Sequence, residues 1–294
     1  MSKQLTILVT GNTGFIGRNM VKFLGKENVQ IHPFSRNNNC DIFNKEQLIS
    51  SVKDVDLVYH FAAYAKPGES ILQPVKAIET NVKGCLNILE ACRKNDVPLI
   101  YPSSCEVYGN SYQPLDESAP FKPTNPYAAS KAAADAICIA YFESYGMDIK
   151  IVRLFNPYGP YQQLNKIIPT LYKQAIQGND LSVYGEGKDT RDYVYISDIV
   201  SGLWQARQLQ PGEVINLATG KVTTNYEIAK IILEITQSRS EITFVPYPQE
   251  FGNIKNQVGS YQKAKKLVDW SPKIPLKQGI IETIEWLQNF YKGG

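Results

Sequence analysis

The chain has 294 residues, 43% of them hydrophobic and 20% charged, with a formal net charge of +3. Such a length supplies a large core for about one to two domains. The weak positive charge, with no basic block, argues against nucleic acid and membrane surfaces as partners, and no apolar run approaches the ~20 residues of a membrane span.

The N-terminus runs directly into an apolar stretch over 4–9, so no targeting peptide is expected. Further strands are expected over 29–34, 56–61, 97–102 and 149–154, with helices near 14–25, 44–52, 71–95 and 126–146. This alternation predicts an α/β fold, a doubly wound parallel sheet of Rossmann type, with ligands beyond the carboxyl ends of the strands. The second half is less regular. Residues 160–190 are rich in Tyr, Gln, Gly and Lys. A strand–helix pair is expected near 191–208, a strand near 213–217, and helices near 224–236, 262–269 and 276–291. The expected division is a dinucleotide-binding domain, 1–160 plus about 191–218, and a smaller interleaved C-terminal substrate-binding lobe, 161–190 and 219–294. The cysteines, Cys40, Cys85, Cys92, Cys105 and Cys138, form no C-x-x-C pair, which suggests a reducing cytoplasm.

The first strand leads into Thr10-Gly11-Asn12-Thr13-Gly14-Phe15-Ile16-Gly17 and then a helix. Gly11 permits the tight turn, Gly14 lets backbone approach a pyrophosphate, and Gly17 lets helix pack closely on strand. The helix start adds N–H donors for the anion. The next strand ends Pro33-Phe34-Ser35-Arg36, without the acidic residue that usually holds the ribose hydroxyls of NAD. Arg36 either meets the 2′-phosphate of NADP or is a solvated surface arginine. Asp41 and Ile42 are placed to bracket an adenine. Phe61, Ala62 and Ala63 end the third strand, and the two alanines let a cofactor pass close to the backbone.

After the fourth strand comes Ser103-Ser104-Cys105-Glu106-Val107-Tyr108-Gly109. About twenty residues on, Tyr127 and Lys131 stand four apart, on one helix face. A lysine beside a tyrosine favours the phenolate and makes a general base. His32 and His60 are expected to be packed or solvated, and no metal site is expected.

These residues together resemble the extended short-chain dehydrogenase/reductases, the NAD(P)-dependent sugar-nucleotide epimerase/dehydratase group. The motifs that carry the resemblance are TGNTGFIG, Asp41-Ile42, HFAA, Asn81 in ETNVKG, SSCEVYG, NPYAASK, RLFNPYGP and TRDYVYISD. The resemblance implies Tyr127 as the base, Lys131 as its partner on the nicotinamide ribose, and Ser104 as the hydroxyl on the reacting sugar oxygen. It implies a cofactor site from Gly11, Thr13, Gly14, Phe15, Ile16, Gly17, Arg36, Asp41, Ile42, Phe61, Ala62, Ala63 and Asn81, together with Tyr127 and Lys131. The substrate site it implies is Ser104, Asn156, Lys166, Ile167, Val183, Tyr184 and Arg191. Asn156 and Arg191 are its diphosphate contacts, with a structural ion pair to a nearby Asp as the other reading of Arg191. The cofactor implied is NAD or NADP, with Arg36 leaning toward NADP. The substrate implied is a UDP- or dTDP-sugar, and a homodimer is implied through the helices near 71–95 and 126–146.

Within this group, simple 4-epimerases often have a small or hydroxyl residue where Glu106 stands, whereas dehydratases and sugar-nucleotide decarboxylases often have Glu. A 4-epimerase rotates the ketone and returns the hydride. A dehydratase must also remove the C5 proton and protonate a leaving hydroxyl. The usual dehydratase pair is Asp-Glu, and this chain has Cys105-Glu106. Cys105 is either part of that chemistry, as in a branch that performs 5,6-elimination, or a small buried apolar residue. Glu106 is either the acid–base group or a capping carboxylate. Near the C-terminus, Glu250-Phe251-Gly252-Asn253 stands where relatives often have Arg-Pro-Gly-Asp. A redox-neutral 4-epimerase is the leading expectation. A 4,6- or 5,6-dehydratase using Glu106 with Cys105 is the alternative, and an NADPH-dependent 4-keto sugar-nucleotide reductase is a further one. Ser104, Tyr127 and Lys131, all in place, argue against an inactive binding protein on the same fold.

Overall fold

Side chains of successive strand residues point to opposite faces, and the apolar core divides accordingly. Ile7, Val9, Tyr59, Ile100, Val152 and Leu154 belong to one buried cluster, and Leu8, Val58, Leu99, Tyr101 and Ile151 to another. Apolar residues on both faces are what a parallel sheet covered by helices on each side requires. The computed structural model describes residues 4–248 and 254–292.

The first half contains β1 (Leu5–Thr10), α1 (Phe15–Leu24), β2 (Val29–Phe34), α2 (Lys45–Val52), β3 (Leu57–His60), α3 (Pro67–Leu72), α4 (Pro74–Ile78), α5 (Gly84–Asn95), β4 (Leu99–Ser104), α6 (Pro126–Tyr145) and β5 (Ile149–Leu154). The second half adds β6 (Pro157–Tyr158), α7 (Ile167–Ile176), β7 (Leu181–Tyr184), β8 (Thr190–Arg191), β9 (Val194–Tyr195) and α8 (Ile196–Gln205). After these come β10 (Val214–Leu217), β11 (Thr223–Thr224), α9 (Asn225–Thr236), β12 (Ile242–Val245), α10 (Gln262–Val268) and α11 (Leu276–Lys292). The main sheet has the order β10-β5-β4-β3-β1-β2, all parallel. The chain leaves β1 for β2 on one side and then returns to place β3 on the other. The ends of β1 and β3 therefore form the switch point where this fold binds ligands.

Two expectations change. The helix expected over 71–95 is four pieces: α3, α4, a π-turn at Glu79–Lys83, and α5. Pro67 and Pro74 each begin a helix, and Pro74 disfavours helical backbone at the residue before it, which ends α3. Residues 160–190 are more regular than their composition suggests, since they hold α7 and β7. β7 is completed by parallel pairing with β12, a strand the local pattern did not predict. The first cluster runs without a break from the sheet into this lobe through Leu171, Leu181, Ile228 and Ile232.

The glycine loop is held by close backbone contact. Gly11 has φ +65°, and a Cβ there would lie 2.6 Å from the Ala62 nitrogen. A Cβ on Gly17 would lie 2.2 Å from the Gly11 carbonyl oxygen. Gly17→Ala must push α1 away from the loop. We expect a loss of about 1–3 kcal/mol in urea unfolding, together with weaker NAD binding by titration. Wild-type stability in this variant would show that the contact is not limiting.

Candidate functional site

The switch point fits a dinucleotide. No side chain caps α1, and its first turn carries no acidic residue, so its leading N–H groups remain available to a phosphate. A Cβ on Gly14 would meet only the Gly11 carbonyl, at 3.3 Å, so the space above that glycine is free of protein. Thr13, Phe15 and Ile16 are half-buried around it. At the third strand end, the Ala62 N–H donates to Thr10 Oγ1 at 3.1 Å, while Phe61 stacks on Tyr59 and Ala63 is exposed.

The adenine end differs in detail from the expectation. The Arg36 side chain is 74% exposed, with its Nε 3.9 Å from an Asp41 carboxylate oxygen. Asp41 also accepts the Phe43 N–H. Ile42 is buried and packs over Gly84 of α5. Asn81 is buried in the π-turn and makes hydrogen bonds within the protein. Its amide accepts the Tyr64 N–H at 2.7 Å and donates to the Tyr64 carbonyl and to Ser130 Oγ. It ties the segment after β3 to α6. His60 is packed as expected, bonded to Thr10 and pushed down to about 3 by burial.

β4 ends at Ser104, and a 3-10 turn, Cys105–Tyr108, follows at once. Ser104 Oγ accepts the Glu106 N–H. The start of α6 lies alongside. Asn125 is its N-cap, accepting the Ala128 N–H at 2.8 Å, and Pro126 occupies the first turn. The Asn125 side-chain N–H donates in turn to Glu106 Oε2 at 2.9 Å. The Tyr127 N–H donates to Ser70 Oγ of α3. Sequence reasoning missed Asn125 and Ser70, although an Asn-Pro pair before a helix is a readable cap.

Burial sets the electrostatics. It pushes the Tyr127 phenol well up, Glu106 pushes it further, and a hydrogen bond from Ser104 pulls it back. Burial also raises Glu106, with Asn125, Arg191 and Lys166 opposing. The expected lowering of Tyr127 by Lys131 is not expressed in this arrangement. The Lys131 ammonium donates to the Pro102 carbonyl at 2.7 Å and lies 4.1 Å from the Tyr101 ring centre. Burial lowers it to about 8, and Asp135, one turn on, opposes that shift.

Cys105 is buried, its thiol donating to Gln257 Oε1 at 3.2 Å and pushed up to about 12. Asn156 donates to the Asp192 carbonyl and lies 4.0 Å from Cys105 Sγ. Lys166 precedes α7, lowered by burial and held up by Glu106 and Glu69. Ile167 is half-buried and Val183 fully buried, while Tyr184 stacks on Tyr247 at the surface. Among the described residues Arg191 forms no ion pair with an Asp. Its guanidinium donates to the carbonyls of Thr190, Ile254 and Lys255. Glu250, Phe251, Gly252 and Asn253 lie outside the described residues. Among the described residues there is no cluster of metal-ligating side chains, and no helix is long and apolar enough to cross a membrane.

A model described as the NAD dependent epimerase/dehydratase family matches residues 7–218. UDP-glucuronic acid decarboxylase 1 of Danio rerio is 31% identical over 302 residues, covering 95% of this chain and 72% of the relative. dTDP-D-glucose 4,6-dehydratase of Homo sapiens is 32% identical over 320 residues, covering 97% and 91%. The solved structure of Thermus thermophilus UDP-glucose 4-epimerase in complex with NAD superimposes with a TM-score of 0.89 at 28% identity, covering 97% of this chain and 99% of that one.

Below about pH 8 the folded protein must keep a buried charge on Lys131, whereas the unfolded chain holds that proton up to its ordinary 10.5. Stability from this group therefore rises as pH climbs from about 8 to 10.5. Lys131→Met should resist urea better at neutral pH, by about 1–3 kcal/mol, with the gap closing as the medium becomes alkaline. A gap independent of pH would contradict this.

Proposed function

We propose that this chain, which belongs to the NAD-dependent epimerase/dehydratase family, is a sugar-nucleotide lyase. In this reading it oxidises C4 of a UDP- or dTDP-linked hexose and then moves the C5 proton with Glu106. The observation that carries the reading is the carboxyl of Glu106, raised by burial, held by Asn125 and acting electrostatically on Tyr127. A 4-epimerase has no step for such a group.

Bound NAD supplies the hydride acceptor and donor. The protein supplies the proton movements and the positioning. Ser104 pulls the Tyr127 phenol back down and is placed to orient the C4 hydroxyl, whose proton Tyr127 takes. A ketone at C4 acidifies the C5 proton. Glu106 then removes that proton; the electrons of the C5–H bond form the C5–C6 double bond as the C6–O bond breaks, and the hydride taken from C4 would return from the nicotinamide to the sugar. The same carboxyl returns the proton to the departing oxygen, giving water. One carboxyl is enough if both events lie on one face of the sugar, so the thiol of Cys105 is not required. A raised pKa suits a group that must act as base and then as acid.

Decarboxylation of a sugar nucleotide carrying a C6 carboxylate is the second reading. Lys166 beside Glu106 favours it, as a cation able to pair with that carboxylate. Carbon dioxide would then leave in place of water, and Glu106 would deliver a proton to C5.

NAD is preferred to NADP in this reading, because the Asp41 carboxylate beside Arg36 opposes a 2′-phosphate. The cysteines are free thiols, which suits a reducing cytoplasm. A homodimer through α3, α4, α5 and α6 would cover Leu72, Val75, Ile78 and Ile139, which are exposed in this structure. A monomer by light scattering would overturn that part.

The central test is proton NMR in D2O with NAD and a panel containing UDP-glucose, dTDP-glucose and UDP-glucuronate. We expect loss of the C5 proton signal with mass loss of water for elimination, or one deuterium gained at C5 with mass loss of carbon dioxide for decarboxylation. Glu106→Gln should stop C5 exchange by about a hundredfold or more while nicotinamide reduction continues. Inversion at C4 with no deuterium at C5 would establish a 4-epimerase instead.

A further inference from the structure

The turn that carries Glu106 is held from a distant part of the chain. Gln257 is buried, and its side-chain amide makes three hydrogen bonds to residues 105–109. Its NH2 group donates to the Cys105 carbonyl at 3.0 Å and to the Gly109 carbonyl at 2.9 Å. Its Oε1 accepts the Cys105 thiol at 3.2 Å. Only this orientation of the amide is consistent, because a carbonyl oxygen cannot donate to two other carbonyls. One NH2 group thus binds the carbonyls at both ends of the four-residue turn. Gly109 leaves that turn at φ +72°, and a Cβ there would lie 2.3 Å from the Lys122 carbonyl oxygen.

The segment around Gln257 is itself firmly seated. The N–H groups of Lys255 and Asn256 both donate to Asn110 Oδ1. The Leu115 N–H donates to the Val258 carbonyl, and the Gly259 N–H to Asp192 Oδ2. Arg191 donates to the carbonyls of Ile254 and Lys255. The amide of Gln257 therefore acts from a fixed base.

We propose that Gln257 is a positioning residue that fixes the Cys105–Tyr108 turn and thereby the aim of the Glu106 carboxyl. The inference rests on the reading of Glu106 as the C5 proton carrier. Glu106 is then held twice, by Gln257 through the Cys105 and Gly109 carbonyls on either side of it and by Asn125 through its carboxyl. The same contact constrains position 105. The Gln257 carbonyl oxygen needs a donor opposite it, so a thiol fits and an ionised carboxylate does not. Gln257 thus disfavours a second acid at 105 and leaves proton transfer to Glu106.

The test separates two steps of one reaction with NAD and whichever of UDP-glucose, dTDP-glucose or UDP-glucuronate the NMR panel shows converted. Nicotinamide absorbance in a single turnover reports C4 oxidation, and deuterium uptake in D2O reports proton transfer at C5. Gln257→Leu should slow C5 exchange about tenfold or more, change C4 oxidation by less than about twofold, leave KM nearly unchanged, and displace the pH profile of C5 exchange. Should that variant fail to fold by circular dichroism, Gln257→Glu is read instead. It keeps the volume and the acceptor, and it should show the same split because the NH2 group is gone. Equal slowing of both steps, or of neither, overturns the proposal. Undiminished C5 exchange in Glu106→Gln overturns the reading of Glu106 itself, a result the Gln257 variants cannot produce.

Discussion

The rest of the structure depends on how closely backbones meet at the carboxyl edge of the sheet. Parallel strands all end on the same side, so β1, β3, β4 and β5 deliver their exits to one crowded line. At the switch point Gly11 packs on Phe61–Ala62 and Gly17 packs on Gly11, at distances no Cβ tolerates. This closeness brings the start of α1 beside the exit of β3 and leaves an uncapped helix end over open space. The same crowding brings the exit of β4 against the start of α6, where Ser104, Glu106 and Tyr127 meet.

Burial then governs the chemistry. Tyr127 and Glu106 are both pushed toward their neutral forms and Lys131 toward loss of its proton. Each shift costs stability and poises a group for proton transfer. The polar groups that hold the site are neutral amides and hydroxyls: Asn125 on Glu106, Ser104 on Tyr127, Ser70 on the α6 backbone, Asn81 on the Tyr64 backbone and on Ser130. Neutral donors orient a carboxyl or phenol without fixing its charge state as strongly as a salt bridge would. That suits the proposed role of Glu106 as a proton carrier.

Lys131 illustrates how a motif and its electrostatics can separate. The four-residue spacing from Tyr127 places both on one helix face, but the ammonium is bonded to the Pro102 carbonyl and rests on Tyr101. Asp135, the next residue on that face, pairs with Arg153 at 2.9 Å and shares its charge with the lysine. A buried cation takes the nearest acceptor that satisfies its N–H groups, and here that is backbone at the end of β4.

The sequence by itself determined the alternating strands and helices of the first half, the glycine loop, and the residues Ser104, Glu106, Tyr127 and Lys131. These are set by local rules: apolar periodicity, backbone freedom at glycine, and residue type at fixed spacing. The sequence did not reveal the pairing of β7 with β12, the hydrogen bonds of Asn81 and Arg191 to distant parts of the chain, or the contact of Cys105 with Gln257. Each of these joins residues far apart in the chain, and Gln257 lies 152 positions from Cys105. Hydrogen bonds and strand pairs between distant segments leave no local pattern, because a donor is satisfied by whatever acceptor the fold brings within reach. Which residue types are present was therefore legible in the sequence, and which of them are free to act was decided by the tertiary structure.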